Sequence, residues 1–148
     1  MNLNVTRTFK KFHDAYEERI DPNNPNSEYK YRQIVLVGGS RSSKSYSIMQ
    51  KMMLVLQILN NLKVTVWRDL KNVCRSTIME DFQNIIMFNP QVYSDFRHNK
   101  MHGSFTNKNT ASRMIFEGAD NIGKVLGSAQ DISIFNEVSE FNEDVYDQ

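Results

Sequence analysis

The chain has 148 residues, 40% of them apolar and 24% charged, the balance of a globular domain rather than a fibrous or low-complexity chain. With 18 Lys and Arg against 17 Asp and Glu the formal net charge is +1, so bulk electrostatics gives no argument for nucleic acid and any such contact must be local. The single cysteine, Cys74, excludes an internal disulfide framework and a cysteine-based metal cluster, and no apolar run approaches the roughly 18 residues of a membrane span.

The N-terminal stretch "MNLNVTRTFKKFHDAYEERI" is charged and amphipathic, without the apolar core of a signal peptide, which points to the cytoplasm. Within it Val5, Phe9, Phe12 and Tyr16 recur at spacings of three and four, predicting a helix over about 5–19. "DPNNPNSE" (21–28) is turn chemistry and predicts an exposed connection. "QIVLVGG" (33–39) then reads as a buried strand running into a glycine turn. From Lys44 to about Leu59 the pattern turns helical, with Ile48, Met52, Leu56 and Leu59 on one side and the methionines at 49, 52 and 53 expected to pack in the core. "KVTVWR" (63–68) is a β-branched strand in which Trp67 is expected to be buried, and Ile78, Phe82 and Ile85 mark a helix over about 74–87. After "NP" at 89–90 the sequence reads as irregular. "GSFTN" (103–107) and "SRMIFEG" (112–118) then predict a hairpin around "KNTA". "DISIFNE" (131–137) closes the series as an apolar strand ending in a polar pair. Strands alternating with helices predict an α/β fold with a mainly parallel sheet.

One stretch carries chemistry. "VGGSRSSKSYS" (37–47) follows the phosphate-loop pattern G-x-x-x-x-G-K-[S/T], the Walker A pattern, from Gly38 except at position 43, where serine replaces the second glycine. A strand turning through glycines into a helix N-terminus presents unpaired N–H groups and a partial positive charge to an anion. In that reading Gly38, Gly39, Ser40, Arg41, Ser42, Ser43, Lys44, Ser45 and Tyr46 line the phosphates of ATP, Lys44 reaches the β and γ phosphates, and the Ser45 hydroxyl ligates Mg²⁺. The rival reading is a strand–turn–helix junction with a solvated lysine. What Ser43 costs depends on its backbone: in helical space a small serine is accommodated, whereas a positive φ favours glycine.

The second half of such a site is a neighbouring strand that brings an acid to Mg²⁺ and a base to water. "ISIFNE" has that Walker B-like form, and ligands of open α/β sheets bind at the strands' C-terminal ends. Glu137 is placed to orient or deprotonate the attacking water. Asn136 stands where an aspartate is usual; it can hydrogen-bond Mg²⁺-bound water but brings no charge. The plain alternative is a polar strand end entering a turn.

Three blocks in order, "YRQIVLVGGSRSSKSYSI", "VTVWRDLKNVCRSTIMEDF" and "MIFEGADNIGKVLGSAQDISIFNEVSEF", resemble the N-terminal ATPase region of the large subunit of tailed-phage terminases, the motors that package viral DNA into procapsids. The resemblance runs from about Tyr29 to the end. It implies an ASCE-type P-loop NTPase-like fold, with residues 1–28 as an N-terminal helix and linker and 29–148 as a partial ATPase core. It implies ATP and Mg²⁺, with Glu137, Lys44 and Arg41 in catalysis, Ser45 and Asn136 at the metal, and Ser43 and Asn136 as permitted variants. Implied partners are double-stranded viral DNA, the portal protein of the procapsid, the small terminase subunit and further copies in a ring. The implied location is the host cytoplasm and, transiently, the portal vertex, with no membrane. Such subunits continue with a coupling motif and an RNase H-like nuclease domain, so the sequence is read as a fragment, incomplete at the C-terminus and without the nuclease.

Other functional residues are less sharply marked. Arg68 at its strand end is a candidate phosphate sensor or subunit contact, with a surface ion pair as the plainer role. Arg75, Arg97, Arg113 and Lys124 are candidates for DNA or for an arginine acting in trans, Asp120 and Lys124 match a family turn, and Tyr29, Tyr31 or Gln33 are candidates for adenine. His13, His98 and His102 do not form a metal set and are expected to be solvated. Two further functions stay open: a nucleotide-binding module without turnover, and another P-loop ATPase of helicase-like type.

Overall fold

The computed structural model describes residues 6–24, 26–31, 33–37, 43–119, 127 and 129–137. Helix α1 (Arg7–Glu17) precedes α2 (Lys44–Ile58), followed by strand β1 (Lys63–Arg68), helices α3 (Lys71–Ser76), α4 (Ile78–Met87) and α5 (Pro90–Asp95), and strands β2 (Phe96–Asn99), β3 (Ser104–Asn107), β4 (Arg113–Gly118) and β5 (Ile132–Phe135). The strands form one sheet in the order β2-β3-β4-β1-β5.

The sheet is mixed. Strand β1 pairs in parallel with both β4 and β5, while β2–β3 and β3–β4 are antiparallel. The hairpin expected around "KNTA" is present as β3–β4, where Asn107 folds the turn: its Oδ1 accepts from the N–H groups of Asn109 and Thr110 at 2.9 and 3.1 Å. Strand β2 and helix α5 lie where an irregular region is predicted, and they add the antiparallel edge. Four residues are too few for the period-two pattern of β2 to stand out in the sequence.

Two expectations change more substantially. Residues 33–37, predicted as a buried strand, form no strand, and Val35 and Val37 are 79% and 92% exposed. A strand exists only with a hydrogen-bonded neighbour, and none of the described strands pairs with this segment. The helix predicted over 74–87 is instead two, broken at Thr77 (φ −124°, ψ −88°). There the Thr77 hydroxyl donates to the Val73 carbonyl at 2.6 Å, a side-chain bond that competes with the helical ladder.

The core lies between one sheet face and the helices. Val64, Val66, Met114, Phe116, Phe105 and Ile134 meet Met49, Met52, Met53 and Leu56 of α2 and Ile78, Phe82, Ile85 and Ile86 of α4. Phe82 is its hub, packed edge-on against Phe96 and Phe105 and tilted against Phe116. The three methionines of α2 and Trp67 are buried as expected, whereas Leu59 falls past the helix end and is 41% exposed. Cys74 is fully buried and donates to the Val66 carbonyl at 3.7 Å; burial raises its thiol to about 12.

Helix α1 is held to α2 by a buried charge. The side chain of Lys51 is 4% exposed; its ammonium pairs with Glu17, lies 3.1 Å from His13 Nδ1 and sits 4.6 Å over the Tyr16 ring. Burial, and then the neighbouring Tyr29, push the Tyr16 phenol up to about 12. His13, stacked on Phe9, is therefore a structural partner rather than a solvated side chain. Removing Glu17 leaves the buried ammonium without its counter-charge, whereas removing Lys51 leaves a carboxylate that is 45% exposed and solvated. Glu17→Ala is accordingly expected to lower the unfolding free energy in urea by about 1–3 kcal/mol, and Lys51→Met by less.

Candidate nucleotide site at the sheet edge

The start of α2 and the end of β5 meet at the C-terminal edge of the parallel strands. Strand β5 is in register with β1 through Trp67↔Phe135, and the Asn136 N–H donates to the Trp67 carbonyl at 2.9 Å. That bond carries Asn136 one residue past the strand. The Ser45 hydroxyl, in the first turn of α2, donates to Asn136 Oδ1 at 2.8 Å, across 91 residues of sequence. The two residues predicted to share a metal are thus in direct contact.

Ser43 is the N-cap of α2, with φ +58° and ψ 20°. This is left-handed space, in which a side chain costs about 1–2 kcal/mol relative to the right-handed helix and glycine is tolerated. The glycine of the phosphate-loop pattern is therefore replaced at a position whose conformation favours glycine. The Ser43 carbonyl compensates by accepting twice from Ser47, from its N–H at 2.9 Å and its hydroxyl at 2.7 Å. The Ser47 hydroxyl is in turn 3.1 Å from that of Thr6, the N-cap of α1. Lys44, Ser45 and Tyr46 follow in the first turn, all half-buried. Gly38, Gly39, Ser40, Arg41 and Ser42 lie outside the described residues, as do Asp120 and Lys124.

Glu137 has φ +59°, so two of the four non-glycine residues with positive φ among the described residues, Ser43 and Glu137, flank the Ser45–Asn136 contact. Its half-exposed carboxylate forms an ion pair with the Arg68 guanidinium, whose side chain is only 11% exposed. Arg68 Nη1 also donates to the Thr77 hydroxyl at 2.9 Å, so the residue that breaks the helix after β1 also orients the arginine. Arg68 thus makes an ion pair, but from a largely buried guanidinium and on the candidate catalytic carboxylate. The clue in the sequence was an arginine and a glutamate ending two strands that prove adjacent. Beside it, Lys71 binds Glu117 at 2.7 Å, and Gly118 lies so close to α3 that a Cβ there would stand 2.5 Å from the Lys71 amide nitrogen.

The remaining candidates separate. Arg75 donates from Nη2 to the Met101 carbonyl at 3.0 Å and packs under the left-handed Gly103, so it braces the β2–β3 turn. His98 lies on β2 with its ring stacked on Phe105, centroids 4.1 Å apart, and burial, then Lys100, lower its pKa; it is not simply solvated. Tyr31 and Gln33 line an open cleft of about 810 Å³ with residues of α1, among them Lys11, His13 and Glu17. Tyr29 instead packs on Tyr16 beneath the Arg19 guanidinium. Among the described residues no three His, Cys, Asp or Glu side chains gather as a metal cluster, and no helix is long and apolar enough to cross a membrane.

Comparison with known proteins finds likeness both to a sequence family and to a solved fold. The family model for the phage terminase large subunit matches residues 30–148. The fold is similar to the crystal structure of the HK97 bacteriophage large terminase, with a TM-score of 0.67 at 10% identity, over 96% of this chain and 28% of that one. At that identity the likeness concerns the fold alone. No curated protein matches the sequence.

The left-handed serine yields a direct test. Ser43→Gly is expected to raise the unfolding free energy by about 0.5–1 kcal/mol, measured by denaturant titration. Binding of a phosphate analogue to the same variant reports whether the serine also impairs the loop, which a large gain over the parent reveals.

Proposed function

Because the chain belongs to the phage terminase large-subunit family, we propose that it is the ATP-hydrolysing part of a motor that drives double-stranded viral DNA into a procapsid. The observation that carries this reading is the Ser45–Asn136 contact with Glu137 beside it, which joins the helix start and the strand end that a phosphate-loop ATPase needs together. The phosphates of ATP lie along Gly38 to Tyr46, with Lys44 on the β and γ phosphates and Arg41 neutralising charge on the phosphoryl group being transferred.

The donor set suits a hard cation. Ser45 Oγ and Asn136 Oδ1 are neutral oxygens 2.8 Å apart, half-buried at a sheet edge, and Mg²⁺ takes oxygen ligands while keeping several waters. These two residues would hold Mg²⁺ jointly with phosphate oxygens, and the ion supplies charge neutralisation for the leaving phosphate. Glu137 orients and deprotonates the attacking water. The Arg68 guanidinium pairs with Oε2 of that carboxylate, which leaves Oε1 to accept the water's proton. Hydrolysis moves a DNA-gripping surface, in a ring of copies on the portal protein and with the small terminase subunit as a further partner. The work is done in the host cytoplasm and at the portal vertex.

The Arg68–Glu137 pair and the left-handed Ser43 also suit a second reading, a nucleotide-binding module without turnover. ATP turnover by the full chain separates the two. Lys44→Ala is expected to lose nucleotide binding and turnover together. Glu137→Ala is expected to keep binding and lose turnover by about a hundred- to ten-thousand-fold. Equal hydrolysis in the parent and both variants removes this site from the reaction, and tight binding with no turnover in the parent favours the binding module.

A further inference from the structure

Strand pairing places three cations side by side on the sheet face turned away from the helices. The register runs Arg97↔Thr106 between β2 and β3, Thr106↔Arg113 between β3 and β4, and Arg113↔Lys63 between β4 and β1. Each of these residues alternates with a buried one, Phe96, Phe105, Met114 and Val64, that faces α2 and α4. The row Arg97–Thr106–Arg113–Lys63 therefore shares the opposite face, with Arg97 and Arg113 exposed and Thr106 and Lys63 half-exposed.

None of the three cations has an ion pair among the described residues. The nearest carboxylate in the row, Asp131, accepts the Lys63 N–H at 2.7 Å and so bonds backbone rather than the ammonium. Like charges on neighbouring strands cost stability. Arg113 and Lys63 are such register neighbours, on strands whose backbones lie about 4.8 Å apart. A polyanion laid across the row removes that cost.

We propose that this row binds the phosphate backbone of duplex nucleic acid, without reading sequence. Three strand spacings give a row about 14 Å long, close to the roughly 12 Å width of a duplex major groove, so its ends reach phosphates on both strands. The hydroxyl of Thr106, between the arginines, suits a phosphate oxygen. No aromatic ring stands in the row, and Trp67, on the same face nearer the strands' other end, is 2% exposed. Among the described residues the half-buried Phe135 on this face packs on Trp67 rather than in the row, so the row itself has no ring for stacking unpaired bases, which favours duplex over single strand. The row crosses the N-terminal ends of β1 and β4, about 16 Å along the strands from Arg68, leaving the nucleotide edge free while DNA is held. The inference rests on the motor reading for its partner but on different residues.

Fluorescence anisotropy of a labelled random-sequence duplex, titrated with salt against the full chain, tests it. The triple variant Lys63→Gln/Arg97→Gln/Arg113→Gln is expected to bind at least tenfold more weakly and to reduce the slope of log K against log salt by about 2–3. Turnover of ATP without DNA should stay at the parental level. Arg97→Gln alone should reduce the slope by about one, and Arg97→Lys should restore it, which keeps the test decisive if the triple variant unfolds. A parental slope in all variants, matching a Lys100→Gln control off the row, overturns the proposal. So does a change in self-association without a change in DNA binding, which makes the face a contact between copies. Row-dependent binding by a protein that never hydrolyses ATP leaves the row standing and removes the motor.

Discussion

A single hydrogen bond, from the Ser45 hydroxyl to Asn136 Oδ1, marks where the start of α2 and the end of β5 are brought together. It joins the first turn of α2 to the residue after β5, and both ends are independently anchored. Helix α2 is set by its methionine-rich face on the core, and β5 is set by its ladder with β1. With those supports in place the serine and the asparagine have little freedom in where they lie. The site is thus a consequence of packing some distance away, as expected where functional groups sit on rigid elements.

Strain sits on both sides of that bond. Ser43 and Glu137 both occupy left-handed backbone, a conformation that persists only where surrounding contacts over-determine it. For Ser43 the contacts are two bonds from Ser47 to its carbonyl; for Glu137 the ion pair with Arg68 is the counterpart. Arg68 is itself held by Thr77, which also interrupts the helical run after β1. A local defect in a helix and the posture of a candidate catalytic carboxylate therefore share one threonine.

Much of this was legible in the sequence because it rests on short-range pattern. The 3.6-residue spacing placed α1, α2 and α4, β-branched runs placed β1 and β5, and turn residues placed the β3–β4 hairpin. The loop and the polar pair after β5 pointed to the residues that prove to be in contact. What stayed hidden depends on neighbours. "QIVLVGG" carries the composition of a strand, but composition supplies no partner, and residues 33–37 pair with none of the described strands. The left-handed turn at Ser43 and the Arg68–Glu137 pair require the path of the chain in space. The row across β2, β3, β4 and β1 requires register, since Arg97, Arg113 and Lys63 are far apart in sequence.

The position of β5 has a practical consequence. Among the described strands it bonds only to β1, so the described residues leave its outer side, beside the candidate nucleotide site, to a further strand. An open edge is a template for another strand, from the same molecule or a different one. A strand seated there would bond the backbone that leads into Asn136 and so steady the Ser45–Asn136 contact from a second side.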